Sequence, residues 1–160
     1  MNEELLKLIE KSCVIDTKAL AARTGEDEDK LAAEIRELQA AGILCGCHAL
    51  INWDEANDER VTALIEIKVT PHKELGYNRI AARIAKIDEV SAVYLMSGTF
   101  DFTVIITGKT MREISRIVMD KLAIIDAVES TATHFILKKY KENGIEFVQS
   151  ADDRRMSITP

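Results

Sequence analysis

Apolar residues follow two different rhythms along this chain. Between residues 3 and 44 they recur every three or four positions: Leu5, Leu8 and Ile9, then Leu20 and Ala21, then Leu31, Ile35 and Leu38. That spacing lines one face of a helix, so it predicts three short helices, the second opening at Asp16 or Thr17 as N-cap. Thr24-Gly25-Glu26 divides the second from the third, and Ala41-Gly42-Ile43 closes the third. Two short helices around a glycine-containing turn have the spacing of a helix-turn-helix, whose later helix is built to enter a DNA major groove. Cys45-Gly46-Cys47 then leads into residues 48–51, which fit a small wing or the strand leading out of it. Residues 52–60 hold Asp54, Glu55, Asp58 and Glu59 without an apolar period and read as a linker.

Beyond residue 60 the rhythm shortens to two. Ala63, Ile65, Ile67 and Val69 share one face of a strand, with Glu66 and Lys68 opposite, until Pro71 ends it. Tyr77, Ile80, Ile84 and Ile87 return to helical spacing. Strand patterns over residues 91–96 and 102–107 flank a turn at Gly98. Thr110-Met111-Arg112-Glu113 forms a capping box for a helix striped by Met111, Ile114, Ile117, Val118 and Leu122, and residues 128–139 make a last strand. The order β-α-β-β-α-β is the ferredoxin-like split βαβ unit, a four-stranded antiparallel sheet with both helices on one face. The predicted class is therefore α+β, a winged helix-turn-helix followed by a ferredoxin-like domain. The division is 1–51, linker 52–60, domain 61–142 and tail 143–160. Two helices leave one apolar sheet face bare, which predicts a homodimer docked sheet against sheet and the potential for higher assembly. Asn143-Gly144 should stop the last strand. Residues 145–148 form either a short extra strand or a frayed end, and Asp152-Asp153-Arg154-Arg155 should be solvated.

Asp101 stands out within this pattern. It sits between Gly98 and the apolar run of Phe102, Val104 and Ile106, so a carboxylate enters a hairpin bound for the core. Leaving it there without a partner would cost on the order of several kcal/mol. Two roles fit: a cap on the turn that Gly98 permits, or the anchor for a ligand's ammonium at the rim of a small-molecule pocket.

Composition narrows the field. The 160 residues are 47% apolar, enough for a core, and no apolar run approaches the ~20 residues of a membrane span. An acidic start, Met1-Asn2-Glu3-Glu4, is unlike a signal peptide, so a cytoplasmic protein without a membrane partner is expected. Three cysteines, Cys13, Cys45 and Cys47, make no disulfide framework. Cys45-Gly46-Cys47-His48 contains zinc-type ligands, yet a C-x-C pair lacks a distant second pair, and His72 and His134 have no ligand spacing to it. No metal or cofactor is expected, and the cysteines read as small packing residues. Trp53 should anchor the linker onto a domain. The net charge of −6 argues against unspecific capture of nucleic acid.

In order and spacing, Leu20-Ala21 with Gly25, Ile35-Arg36-x-Leu38 running to Gly42-Ile43, Gly98-x-Phe100-Asp101-Phe102, and Thr131-x-Thr133 before Lys141 resemble the Lrp/AsnC family of feast/famine regulators over residues 3–141. The resemblance implies a transcriptional regulator that binds double-stranded DNA, dimerises through its C-terminal domain, often forms octamers, and responds to an amino acid effector. It places DNA contacts at Lys18, Lys30, Ala33, Glu34 and Arg36. It places the effector at Met96, Ser97, Gly98, Thr99, Phe100, Asp101, Thr133 and His134. There Asp101 accepts the ammonium, and backbone N–H groups around Ser97, Gly98 and Thr99 hold the carboxylate. Met96, Phe100 or His134 would meet the ligand's side chain.

One departure from the family pattern matters. Glu26-Asp27-Glu28-Asp29 opens the recognition helix, Glu34 stands where an Arg is common, and residues 12–44 carry four cations against seven carboxylates. Such a surface should repel DNA, so several helix pairs would have to engage together. An effector-sensing oligomer with weak or no DNA binding is accordingly one alternative. A tetrapyrrole decarboxylase-like enzyme is the other, because such enzymes share the two-domain layout. The Gly98 turn, however, has no Arg and carries a carboxylate hostile to an anionic substrate, and no nucleophile and base stand at recognisable spacing. No catalytic residue is expected.

Overall fold

The computed structural model describes residues 3–12, 15–56, 58, 60–70 and 76–147. It divides into two units, residues 1–51 and 52–160. In the first, helix α1 spans Glu3–Glu10, α2 Thr17–Thr24 and α3 Glu28–Ala40. Their buried faces are the ones the spacing predicts: Leu5, Ile9, Leu20, Leu31, Ile35 and Leu38 form one cluster, with Leu6, Leu8, Ile15, Ala21 and Leu44 packed around it. Asp16 caps α2 by accepting from the N–H groups of Lys18 and Ala19 at 3.0 and 3.2 Å. Gly25 ends that helix in the left-handed region, φ 74°, and its N–H returns to the Ala21 carbonyl. Three residues later α3 begins, capped by Asp27. A strand is absent from residues 45–50, so the expected wing does not form there as β structure. Residues 53–56 form a turn, and the Arg60 guanidinium lies 3.7 Å from the Trp53 ring centre, so the linker's aromatic packs against the linker's own arginine.

The second unit runs β1 (Val61–Val69), α4 (Tyr77–Ile84), β2 (Val90–Leu95), β3 (Phe102–Gly108), α5 (Met111–Ile117) and β4 (Val128–Ile136). Its sheet has the order β2-β3-β1-β4, and every pairing is antiparallel. Ala63, Ile65, Ile67 and Val69 pack with Phe102, Val104, Ile106, Ile80, Ile84, Ile114 and Ile117 into a single core, so α4 and α5 cover the same face. Leu64, Thr103, Ile105, Tyr94 and Ile136 belong to the opposite face. Thr110 caps α5 by accepting from the Glu113 N–H at 3.1 Å, and the Glu113 carboxylate reaches back to the Lys109 N–H at 2.7 Å.

The end of α5 widens into a π turn, Val118–Leu122, in which Val118 and Leu122 are both buried. Met111 does not join the stripe. As the first helical residue it is half exposed, because the helix starts beyond the edge of the core. The last strand stops at Ile136, three residues before its expected end. Lys141–Glu142 and Ile145–Glu146 then pair as a small hairpin whose turn residues, Asn143 and Gly144, both have positive φ. The extra strand thus pairs with its own chain. Pro71, Cys13, Val148 and the Asp152 to Arg155 run lie outside the described residues.

Candidate functional site

The corner between β2 and β3 is held from three sides by Asp101. Its main-chain N–H donates to the Ile67 carbonyl at 3.0 Å, and its carbonyl accepts from the Met96 N–H at 2.8 Å. Its carboxylate accepts from the Val69 N–H at 2.8 Å through Oδ2 and from the Tyr77 hydroxyl at 3.2 Å through Oδ1. Asp101 therefore clamps the end of β1 and the start of α4 to the hairpin. Of the two roles the sequence allows, the structural one has its partners in view, and each carboxylate oxygen retains a lone pair. Bonding to that carboxylate, and then its charge, holds the Tyr77 phenol above the ordinary tyrosine range. The Tyr77 ring also stands 6.0 Å from that of Phe102, tilted by 60°. Helical spacing assigns Tyr77 to the inner stripe, yet it is exposed at 37% and works at the corner instead.

Met96, Ser97, Gly98 and Thr99 are exposed, and Phe100, between them and Asp101, is half-buried. Among the described residues the N–H groups of Ser97, Gly98 and Thr99 make no backbone hydrogen bond, so the turn offers a row of donors next to a fixed carboxylate. Thr133 and His134 lie elsewhere. On β4, at the far edge from β2, Thr133 pairs with Ile65 and His134 with Leu64, so their side chains leave on opposite faces. Thr133 is half-buried, while His134 lies on the helix-free face with its Nε2 3.5 Å from Glu66. One chain does not gather all eight expected effector residues into one pocket.

In the first unit, Lys30, Ala33 and Arg36 follow one another along the exposed side of α3, Lys18 is exposed on α2, and Glu34 is half-buried. The acidic run before them has internal duties. Asp27 accepts from the N–H groups of Asp29 and Lys30, and the Thr17 hydroxyl donates to Glu28 at 2.9 Å. Glu26 accepts from the Lys30 ammonium at 3.0 Å, which raises the Lys30 pKa. Three of the four carboxylates are thus committed to caps and ties within the unit. Cys45 and Cys47 are exposed thiols, contrary to the packing role expected of them. Among the described residues no group of three His, Cys, Asp or Glu could hold a metal.

Comparison with known proteins fits this architecture to one class, regulators of transcription. Residues 62–145 match the Lrp/AsnC ligand binding domain. The HTH-type transcriptional regulator YugG of Bacillus subtilis is 38% identical over 158 residues, covering 98% of this chain and 95% of the relative. An HTH-type transcriptional regulator of Pyrococcus furiosus is 28% identical, with 89% and 91% covered. Among solved structures, a Neisseria meningitidis transcriptional regulator in complex with L-Met superposes with a TM-score of 0.68 at 22% identity, covering 86% of this chain and 88% of that one. Escherichia coli AsnC superposes at 0.63 and 19%, covering 86% and 91%. The chain belongs to the Lrp/AsnC family of transcriptional regulators, which sets aside the decarboxylase alternative. No described helix is long and apolar enough to cross a membrane.

Proposed function

We propose that this regulator reads double-stranded DNA through α3 and is switched by an L-amino acid at the Gly98 corner. The effector half rests on one observation: exposed backbone donors at Ser97, Gly98 and Thr99 stand beside a carboxylate that Val69 and Tyr77 hold in place. The donors suit an α-carboxylate, and the free lone pairs of Asp101 suit an α-ammonium. Two relatives of this fold are solved with L-Met, which makes that amino acid the first to try. Thr133 and His134 sit at the other sheet edge, so their part in the pocket requires a second copy to bring β4 alongside a neighbour's hairpin. A dimer docked through the helix-free face, and assembly of such dimers, meets that requirement.

On the DNA side, Lys18, Lys30 and Arg36 supply the cations and Ala33 leaves room for close approach. Few cations per helix mean weak affinity for a single half-site, offset by several helices binding together. A mobility-shift titration at low salt against the DNA upstream of the protein's own gene tests this, with amino acids present and absent. A shift that an amino acid alters supports the reading. Ligand-dependent thermal stabilisation with no DNA shift at any protein concentration would leave an effector-sensing oligomer instead.

A further inference from the structure

Cys45 and Cys47 lie two residues apart on the chain that leaves α3, and both are exposed and free. With His48 they line a groove of about 450 Å³ against α1, its apolar wall formed by Leu6, Ile9, Ile43 and Leu44. The Cys45 thiol donates to the Gly42 carbonyl at 3.2 Å, which fixes it at the end of the helix turn. The N–H groups of Ile43 and Leu44 are tied to the Leu38 carbonyl, but among the described residues 45–50 make no backbone hydrogen bond. Two accessible thiols therefore share one groove on a segment that no backbone hydrogen bond holds, and closure asks only that Cys45 give up its bond to the Gly42 carbonyl.

We infer that Cys45 and Cys47 form a dithiol that a low-molecular-weight disulfide closes reversibly into an internal disulfide across Gly46. A disulfide needs the two Cα atoms within about 4.4–6.8 Å. Two residues of fully extended chain span roughly 6.6–7.2 Å, so closure requires a bend at the middle residue. Gly46 has no side chain to resist that bend, and nothing lies within 4 Å of where a Cβ would stand. In the first step one cysteine thiolate attacks a sulfur of the external disulfide, forming a mixed disulfide and releasing one small thiolate. The second cysteine, as its thiolate, then attacks the protein sulfur of that mixed disulfide, the Cys45–Cys47 bond forms, and the second small thiolate leaves. The protein gives up two electrons and two protons, the external disulfide takes up both, and two small thiols result. A ring this small is strained, which favours easy reduction and so a reversible modification.

Mass spectrometry of the reduced full-length protein after exposure to oxidised glutathione tests the inference. The peptide that holds Cys45 and Cys47 should lose about 2 Da, with the two linked and the change undone by dithiothreitol, whatever Cys13 carries. Cys45→Ser and Cys47→Ser should instead each keep a glutathione adduct on the remaining cysteine of the pair. Both sites are exposed, so circular dichroism should show the variants folded like the wild type. Glutathione adducts on both cysteines of the wild type without closure, a bond to Cys13, or an unchanged mass would each overturn it.

Discussion

Removing the Asp101 carboxylate and removing the Tyr77 hydroxyl should have unequal consequences, because only the first strands a buried backbone donor. Asp101→Ala leaves the N–H of Val69, a residue 5% exposed, without its acceptor. A stability loss of about 1–3 kcal/mol follows, measurable by urea unfolding. Tyr77→Phe leaves that bond intact and should lower Tm less. Asp101→Asn is the sharper probe of function: its amide oxygen still accepts from Val69, while the negative charge is gone. A separate test concerns the proton on Tyr77. Folding raises its pKa above the value of 10.0 it has when unfolded, so this contribution to stability is complete below that pH and fades as pH climbs through the raised value. The tyrosinate absorbance of wild type minus Tyr77→Phe should accordingly appear above pH 10.0, and in an Asp101→Asn background it should move back down. Asp101 announces itself in the sequence as a carboxylate needing a partner. Which partner it finds is not legible there, because Val69 and Tyr77 come 32 and 24 residues earlier and meet it only once β1, α4 and the hairpin have assembled.

Among the elements, the helices were readable because their signals are local. Caps at Asp16, Asp27 and Thr110 and the stripes of α1 to α4 all lie within a turn or two of the residues they organise. Tyr77 and Met111, each the first residue of its helix, mislead because periodicity alone cannot tell a helix's first turn from its buried middle. The wing misleads because residues 48–51 have strand composition but no described partner strand. For the same reason Asp27→Ala should cost about 0.5–2 kcal/mol by thermal unfolding, since it removes the acceptor for two α3 N–H groups. The acidic start of α3 also changes meaning once seen folded: it caps and ties the helix rather than facing outward as an unbroken negative patch. Arg36→Ala should therefore weaken DNA binding evenly across sequences and lower the slope of log affinity against log salt by about 1, as fluorescence anisotropy at several salt concentrations would show. An unchanged slope would remove Arg36 from the DNA-contacting set.

At the scale of the whole molecule, the βαββαβ order was legible from the switch between alternating and helical spacing together with the capping box at Thr110, and it dictated which sheet face the helices would cover. The residues expected to hold the effector show why assembly matters to the proposal: the Gly98 corner and the Thr133–His134 pair occupy opposite edges of one sheet. Ile105 stands on the helix-free face, paired with Leu64 and Ala92. Ile105→Lys should place like charges in a sheet-to-sheet interface and shift sedimentation toward single chains while far-UV circular dichroism stays unchanged. If the variant sediments as the wild type does, the dimer is not built on that face.

Isothermal titration of the full-length protein with the proteinogenic amino acids, L-Met first, addresses the central claim most directly. The account predicts saturable binding of at least one of them, weakened about tenfold or more in Asp101→Asn and retained in Tyr77→Phe. Binding equally tight in Asp101→Asn, or no heat from any amino acid, would contradict it.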